Sequence, residues 1–155
     1  MKTFKFYLIF FSVFASFNFS TAQSKDKTTI DVENALKEWN QTAKEANLKK
    51  FMNLFDDNSK TLIVGSDKGE IFEGKKSIEE WLGKLFKSNS FEWEMQRINI
   101  DHSGKTAWVF VNGFMIVTSQ NGEKHRTPYR FTGVLVKVKN DWKWRLFDGS
   151  VPESE

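Results

Sequence analysis

Five side chains in the second half of the chain have the types and spacing to handle a small polar group: Asn112, Arg130, Thr132, Asp148 and Ser150. Four of them sit in the stretch Arg130 to Pro152, RFTGVLVKVKNDWKWRLFDGSVP, which reads as two strands around a turn at Lys139-Asn140-Asp141. Alternate residues of a strand share a face. With a three-residue loop, Val138 faces Trp142, Val136 faces Trp144, Val134 faces Leu146, Thr132 faces Asp148 and Arg130 faces Ser150. Valines and tryptophans then mark the buried end of an inner face, and the polar residues gather at its other end, with Asn112 joining from a neighbouring strand. There Arg130 would hold a carboxylate or enolate-like oxygen through charge-assisted hydrogen bonds. Asp148 is the candidate catalytic base. Burial would raise its pKa toward that role, whereas an adjacent Arg would lower it. A structural ion pair closing the end of the sheet fits the same residues.

Other constellations point away from several chemistries. His102 falls in an expected turn and His125 at a strand start, at opposite ends of one long strand, so a His-His metal site or dehydratase pair is not expected. The chain has no cysteine, which excludes thiolate catalysis and disulfides. Ser103, Ser119 and Ser150 lack a nucleophile-elbow context, and the glycines between Gly65 and Gly74 are turn glycines, not a phosphate cradle. The carboxylate pairs Asp56/Asp57, Glu79/Glu80 and Glu92/Glu94 read as solvent-facing. No metal or cofactor is expected. The six tryptophans fall on apolar helix faces (Trp39, Trp81) and on strands (Trp93, Trp108, Trp142, Trp144). That is core packing first, although an aromatic-lined hollow would favour an apolar ligand.

The elements that must position these groups are legible in the spacing. Val32, Ala35, Leu36, Trp39, Ala43 and Ala46 recur at helical intervals, with Thr28, Thr29 or Asp31 as cap. Asn47 opens a short second helix with Leu48, Phe51, Met52 and Phe55 on one face. Thr61 to Val64 and Glu70 to Phe72 read as short strands around Ser66-Asp67-Lys68-Gly69. A third helix presents Ile78, Trp81, Leu82, Leu85 and Phe86. From Phe91 the chain is nearly all strand: a parity switch near Gln96-Arg97 predicts a bulge, Ala107 to Val117 reads as a central strand, and Ser119-Gln120-Asn121-Gly122 as a hairpin turn. Helices first and antiparallel strands afterwards make an α+β fold.

Composition bounds the partners. The 155 residues suggest one domain. Residues 1–22 have the make-up of a secretory signal: Lys2 and Lys5, an apolar run from Phe6 to Phe19, then Ser20-Thr21-Ala22 as a cleavage site. The run is short for a membrane span, and no cysteine follows for lipid attachment. The whole chain carries 23 basic and 20 acidic residues. The signal removes two lysines and no acid, so the remainder is nearly neutral and a nucleic-acid partner is not expected. Nor is a membrane partner after cleavage; the protein is expected to be periplasmic or secreted. The expected organisation is a signal at 1–22, a flexible leader at 23–28 and one domain at 29–152.

Arg-Phe-Thr-x-Val-x-Val-Lys from Arg130, with Trp142 leading the next strand and Ser150 near its end, resembles the closing hairpin of the SnoaL-like/DUF4440 branch of the nuclear transport factor 2-like superfamily. Phe72-Glu73-Gly74 followed by Ile78 is similar to the same pattern. The resemblance covers about residues 28–152. It implies a cone: a strongly curved, mostly antiparallel sheet wrapped around about three helices, with a pocket inside. It does not carry histidine chemistry, because Leu146 and Asp148 stand where many relatives have a histidine. The function that follows is an exported binder of a small, partly apolar ligand, with Arg130, Thr132, Asn112 and Ser150 as ligand contacts. One alternative is a metal-free proton-transfer enzyme (isomerase, cyclase or hydrolase) using Asp148 as base. Another is a homodimerising or assembly module with a filled cone and an apolar outer sheet face.

Overall fold

The computed structural model describes residues 25–153, so the expected signal segment lies outside the described residues. Helix α1 (Lys27–Lys44) starts inside the expected leader. The Asp26 carboxylate accepts the Thr29 amide at 3.1 Å, so Asp26 is the cap, not Thr28, Thr29 or Asp31. Val32, Leu36, Trp39 and Ala43 form the buried stripe of α1, as their spacing requires. Asn47 caps α2 (Leu48–Met52) by accepting the Lys50 amide. Strands β1 (Leu62–Val64) and β2 (Ile71–Glu73) form a small hairpin, and α3 (Lys75–Ser88) buries Ile78 and Leu82. The long strands are β3 (Asn89–Ser103), β4 (Thr106–Ser119), β5 (Lys124–Val138) and β6 (Asp141–Ser150). Among the described residues no helix is long and apolar enough to cross a membrane.

The six strands form one sheet in the order β2-β1-β6-β5-β4-β3. Every pairing is antiparallel except β1 with β6. The sheet is curved and unclosed, and the helices fill its inner face. Two register irregularities fit that curvature. The predicted one falls between Met95 and Arg97, opposite Gly113, where a Cβ would overlap the Glu94 carbonyl. The second falls between Val134 and Leu135, where Arg145 is the unpaired residue of β6.

That second bulge corrects the expected closing hairpin. The loop is two residues, Lys139-Asn140, with Lys139 at φ 56°, and Val138 pairs Asp141 instead of Trp142. The loop is one residue shorter than expected and the bulge adds one residue back. Val134–Leu146, Thr132–Asp148 and Arg130–Ser150 therefore pair as expected, while the face they occupy is inverted. Trp142 and Trp144 point inward opposite Lys137 and Leu135; beyond the bulge, Phe147 and Gly149 point inward opposite Gly133 and Phe131. The valines do not face the tryptophans.

The core centres on Trp39, which is 2% exposed. Its ring lies 4.3 Å from Phe51, 4.4 Å from Trp144 and 5.1 Å from Phe147, centroid to centroid. Asn40, one residue on, fastens α1 to the sheet. Its side chain donates to the Trp93 carbonyl at 3.0 Å and accepts the Trp93 amide at 2.7 Å. The loop after α2 is tied down too: the Asp56 amide donates to the Trp144 carbonyl, the Trp144 amide to the Leu54 carbonyl, and Arg145 Nε to the Asp56 carboxylate at 2.7 Å. Asp56 is thus buried and paired, unlike the solvent-facing carboxylate expected; Asp57, Glu79, Glu80 and Glu94 are exposed.

Candidate functional site

The expected polar quartet does assemble, but on the outer face. Asn112, Arg130 and Ser150 share one rung across β4, β5 and β6, and Thr132 and Asp148 share the next. Arg130 Nε donates to the Ser150 hydroxyl at 3.1 Å. Asn112, Arg130, Thr132 and Asp148 are exposed. None of the five lines the cavity inside the cone. The physical reason is the bulge at Arg145: an alternation carried through it from the tryptophans lands on the wrong face of β6. His102 and His125 lie at opposite ends of β4, paired with Ala107 and Val117, and do not converge. Among the described residues no group of three or more His, Asp or Glu side chains could hold a metal ion.

The cone encloses a cavity of about 240 Å³ between α1, α3, the β1–β2 hairpin and the inner sheet face. Its walls are aromatic and aliphatic, including Trp39, Phe51, Trp81, Phe86, Trp93 and Phe147. Three tryptophans from the core stripes are therefore also cavity walls. Trp81 is held in place by stacking on Phe72 at 4.5 Å. The indole N–H groups of Trp39 and Trp93 are buried with no acceptor among the described residues.

Apart from Asn89 after α3, the polar lining residues collect at one end. Ser66, Asp67 and Glu70 come from the β1–β2 turn and Tyr129 from β5. Ser66 and Asp67 are exposed, so this end meets solvent. The turn is closed from both sides: the Gly65 amide donates to the Glu70 carbonyl at 2.8 Å, and the Glu70 carboxylate accepts the Asp67 amide at 3.1 Å. Gly65 is required where it stands, because a Cβ would overlap the Glu70 carboxylate. Burial pushes the Tyr129 phenol up to about 12 against the pull of the Ser66 side chain, and the charges of Glu70, Asp148 and Asp67 add to the push. The phenol is therefore a protonated hydrogen-bonding group at physiological pH. Its hydroxyl occupies the space a side chain at position 149 would need, which Gly149 leaves free.

The sequence signal for this site was thin. Ser66 to Glu70 has ordinary turn composition, and Tyr129 is one residue out of phase with the Arg130 alternation. Only the aromatic count hinted at the walls. With no Lys, Arg or His among its lining residues, the cavity can enclose an apolar body, offer hydroxyl and amide groups from Tyr129, Ser66 and Asn89, and offer carboxylate acceptors from Asp67 and Glu70.

The comparisons with known proteins agree with this architecture. A nuclear transport factor 2-like superfamily protein from Salmonella enterica serovar Typhimurium superposes with a TM-score of 0.70 at 16% identity, over 83% of this chain and 95% of that one. A candidate dehydratase of the same family from Streptomyces avermitilis gives 0.72 at 11% identity, over 84% and 100%. A ketosteroid isomerase-like protein from Erwinia carotovora atroseptica gives 0.68 at 15% identity, over 84% and 100%. At these identities the likeness shows the fold alone. No curated protein sequence matches the chain. The model of the SnoaL-like domain matches residues 32–154. The chain thus belongs to the SnoaL-like domain family, built on the nuclear transport factor 2-like cone.

Proposed function

We propose that this protein is exported and holds one small, partly apolar molecule inside its cone, with the polar end of that molecule at the turn of Ser66, Asp67 and Glu70. The observation that carries this reading is the aromatic cavity of about 240 Å³, open to solvent where polar groups converge. Binding sites have this make-up, an apolar enclosure with a few placed polar groups. A cavity of 150 Å³ accommodates benzene, so this one suits a body of about ten non-hydrogen atoms. The test is titration with tyrosol, a neutral phenylethanol, followed by calorimetry and tryptophan fluorescence. Saturable one-site binding is expected, lost in Leu85→Trp, which fills the cavity from α3, with the far-ultraviolet spectrum of the wild type retained. Absence of saturable binding to the wild-type protein refutes the reading.

A second reading, proton-transfer catalysis without a metal, is favoured by one observation: the Tyr129 phenol and the carboxylates of Asp67 and Glu70 line the same cavity end. In this reading Tyr129 donates a hydrogen bond to a carbonyl oxygen and Glu70 accepts the proton. Asp148 leaves the role of base, because its side chain is exposed and does not line the cavity. Turnover of an enolisable ketone that disappears in both Tyr129→Phe and Glu70→Gln would support catalysis; turnover surviving in Glu70→Gln would remove it.

A homodimer through the outer sheet face accompanies either reading. Trp108 is 45% exposed there, beside Phe110, Val134 and Leu146 in a shallow depression.

A further inference from the structure

The ionic groups lining the cavity are all of one sign. At the solvent end stand two carboxylates, Asp67 and Glu70, with the phenol of Tyr129 and the hydroxyl of Ser66. No cationic side chain lines any part of it. Lys68, at the tip of the same turn, is exposed and is not a lining residue. One Glu70 oxygen is engaged by the Asp67 amide, which leaves the other free to accept. The one other polar lining residue, Asn89, is neutral. An anion would enter past two like charges and meet no counter-charge. An ammonium group would meet carboxylates and the faces of aromatic rings, both of which attract cations.

We propose that the ligand is an organic cation: an ammonium head at the Asp67–Glu70 end, carried on an aromatic or similarly apolar body. This deepens the binding reading and rests on it. It also reverses the polarity expected from Arg130, which would have selected an anion. Burial is the main cause of the raised Tyr129 pKa, and the charges of Glu70, Asp148 and Asp67 that add to it would also act on an ammonium group.

Three probes of nearly equal size separate the outcomes: tyramine, tyrosol and 4-hydroxyphenylacetate, which share a phenol and differ in head-group charge. Calorimetry on the full chain at low salt is expected to rank them cation, neutral, anion, with tyramine tighter than tyrosol by about tenfold, the range of one added charge-assisted hydrogen bond. Added salt should shrink the tyramine advantage and leave tyrosol unmoved. Glu70→Gln keeps an acceptor for the Asp67 amide and is expected to bring tyramine down to the affinity of tyrosol; Asp67→Asn, which leaves Glu70 in place, should do so in part. Tyrosol binding equal to or tighter than tyramine overturns the cation proposal while the cavity reading stands. If no probe binds, both fall.

Discussion

Tyr129 and Gly149 form a unit that neither residue type announces alone. The phenol reaches the cavity end because Gly149, on the adjacent strand, has no Cβ in its way. Gly149→Ala is therefore expected to displace the phenol and destabilise the fold by about 1–3 kcal/mol, the range for forcing an extra methyl into a packed site. Thermal unfolding measures the loss, and the phenol ionisation seen by ultraviolet titration should fall from about 12 toward the ordinary tyrosine value as burial is relieved. An unshifted titration would mean that the ring is held by something other than this gap. At this scale the sequence was least legible. Tyr129 and Gly149 owe their importance to a contact between strands, and Glu70 to a turn that folds its carboxylate back over Gly65. Nothing in local spacing encodes either. Arg130 and Asp148, which stood out by charge and alternation, proved to be outer-face residues.

The elements themselves were largely readable. The three helices, the β3 bulge and the six strands followed from apolar period and turn composition, because each is specified by residues near in sequence. The exception was the Arg145 bulge. A bulge shows in sequence only as a change of parity, and β6 disguises it because Trp144 and Leu146, on either side of Arg145, are both apolar and continue the alternation. In the structure the Arg145 guanidinium pairs with the nearly buried Asp56 carboxylate and so joins β6 to the loop after α2. Arg145→Ala is expected to cost roughly 1–3 kcal/mol, since it leaves a desolvated carboxylate unpaired. The double variant Arg145→Ala with Asp56→Ala should recover part of that loss in denaturant unfolding. A second element-level expectation concerns the start of α1. Hydrogen bonds from the Thr29 side chain and amide hold the Asp26 carboxyl well below the usual carboxylate range, with His102, 3.2 Å away, adding to the effect. A depressed folded pKa contributes stability that is fully present above the unfolded value, near 3.9, and is lost as pH falls through the lower folded value. Asp26→Asn keeps a cap but cannot titrate, so its stability deficit against wild type should persist at neutral pH and shrink below about pH 4. A deficit that grows with acidity would contradict the sign.

For the whole molecule, the two faces of the sheet divide the labour. The inner face carries the helices and the cavity, and the outer face carries the polar quartet beside an apolar depression around Trp108. Resemblance in the closing hairpin implies the cone, but does not say which face of the sheet bears the cavity. The proposed dimer uses the outer face, so it should be separable from ligand binding. Trp108→Glu is expected to shift the mass measured by sedimentation toward the monomer while leaving tyrosol affinity within about twofold. An unchanged sedimentation profile would exclude this face as the interface.

The parallel pairing of β1 with β6 gives the chain a built-in timetable. The final strand is inserted between β1 and β5, and its Trp144 and Phe147 complete the ring cluster around Trp39. A nascent chain therefore lacks these packing partners of Trp39 until β6 has been synthesised, and contacts between residues far apart in sequence form slowly. Under the export proposed above, late closure of this kind would keep the chain loose enough to pass a membrane and let it lock only on the far side.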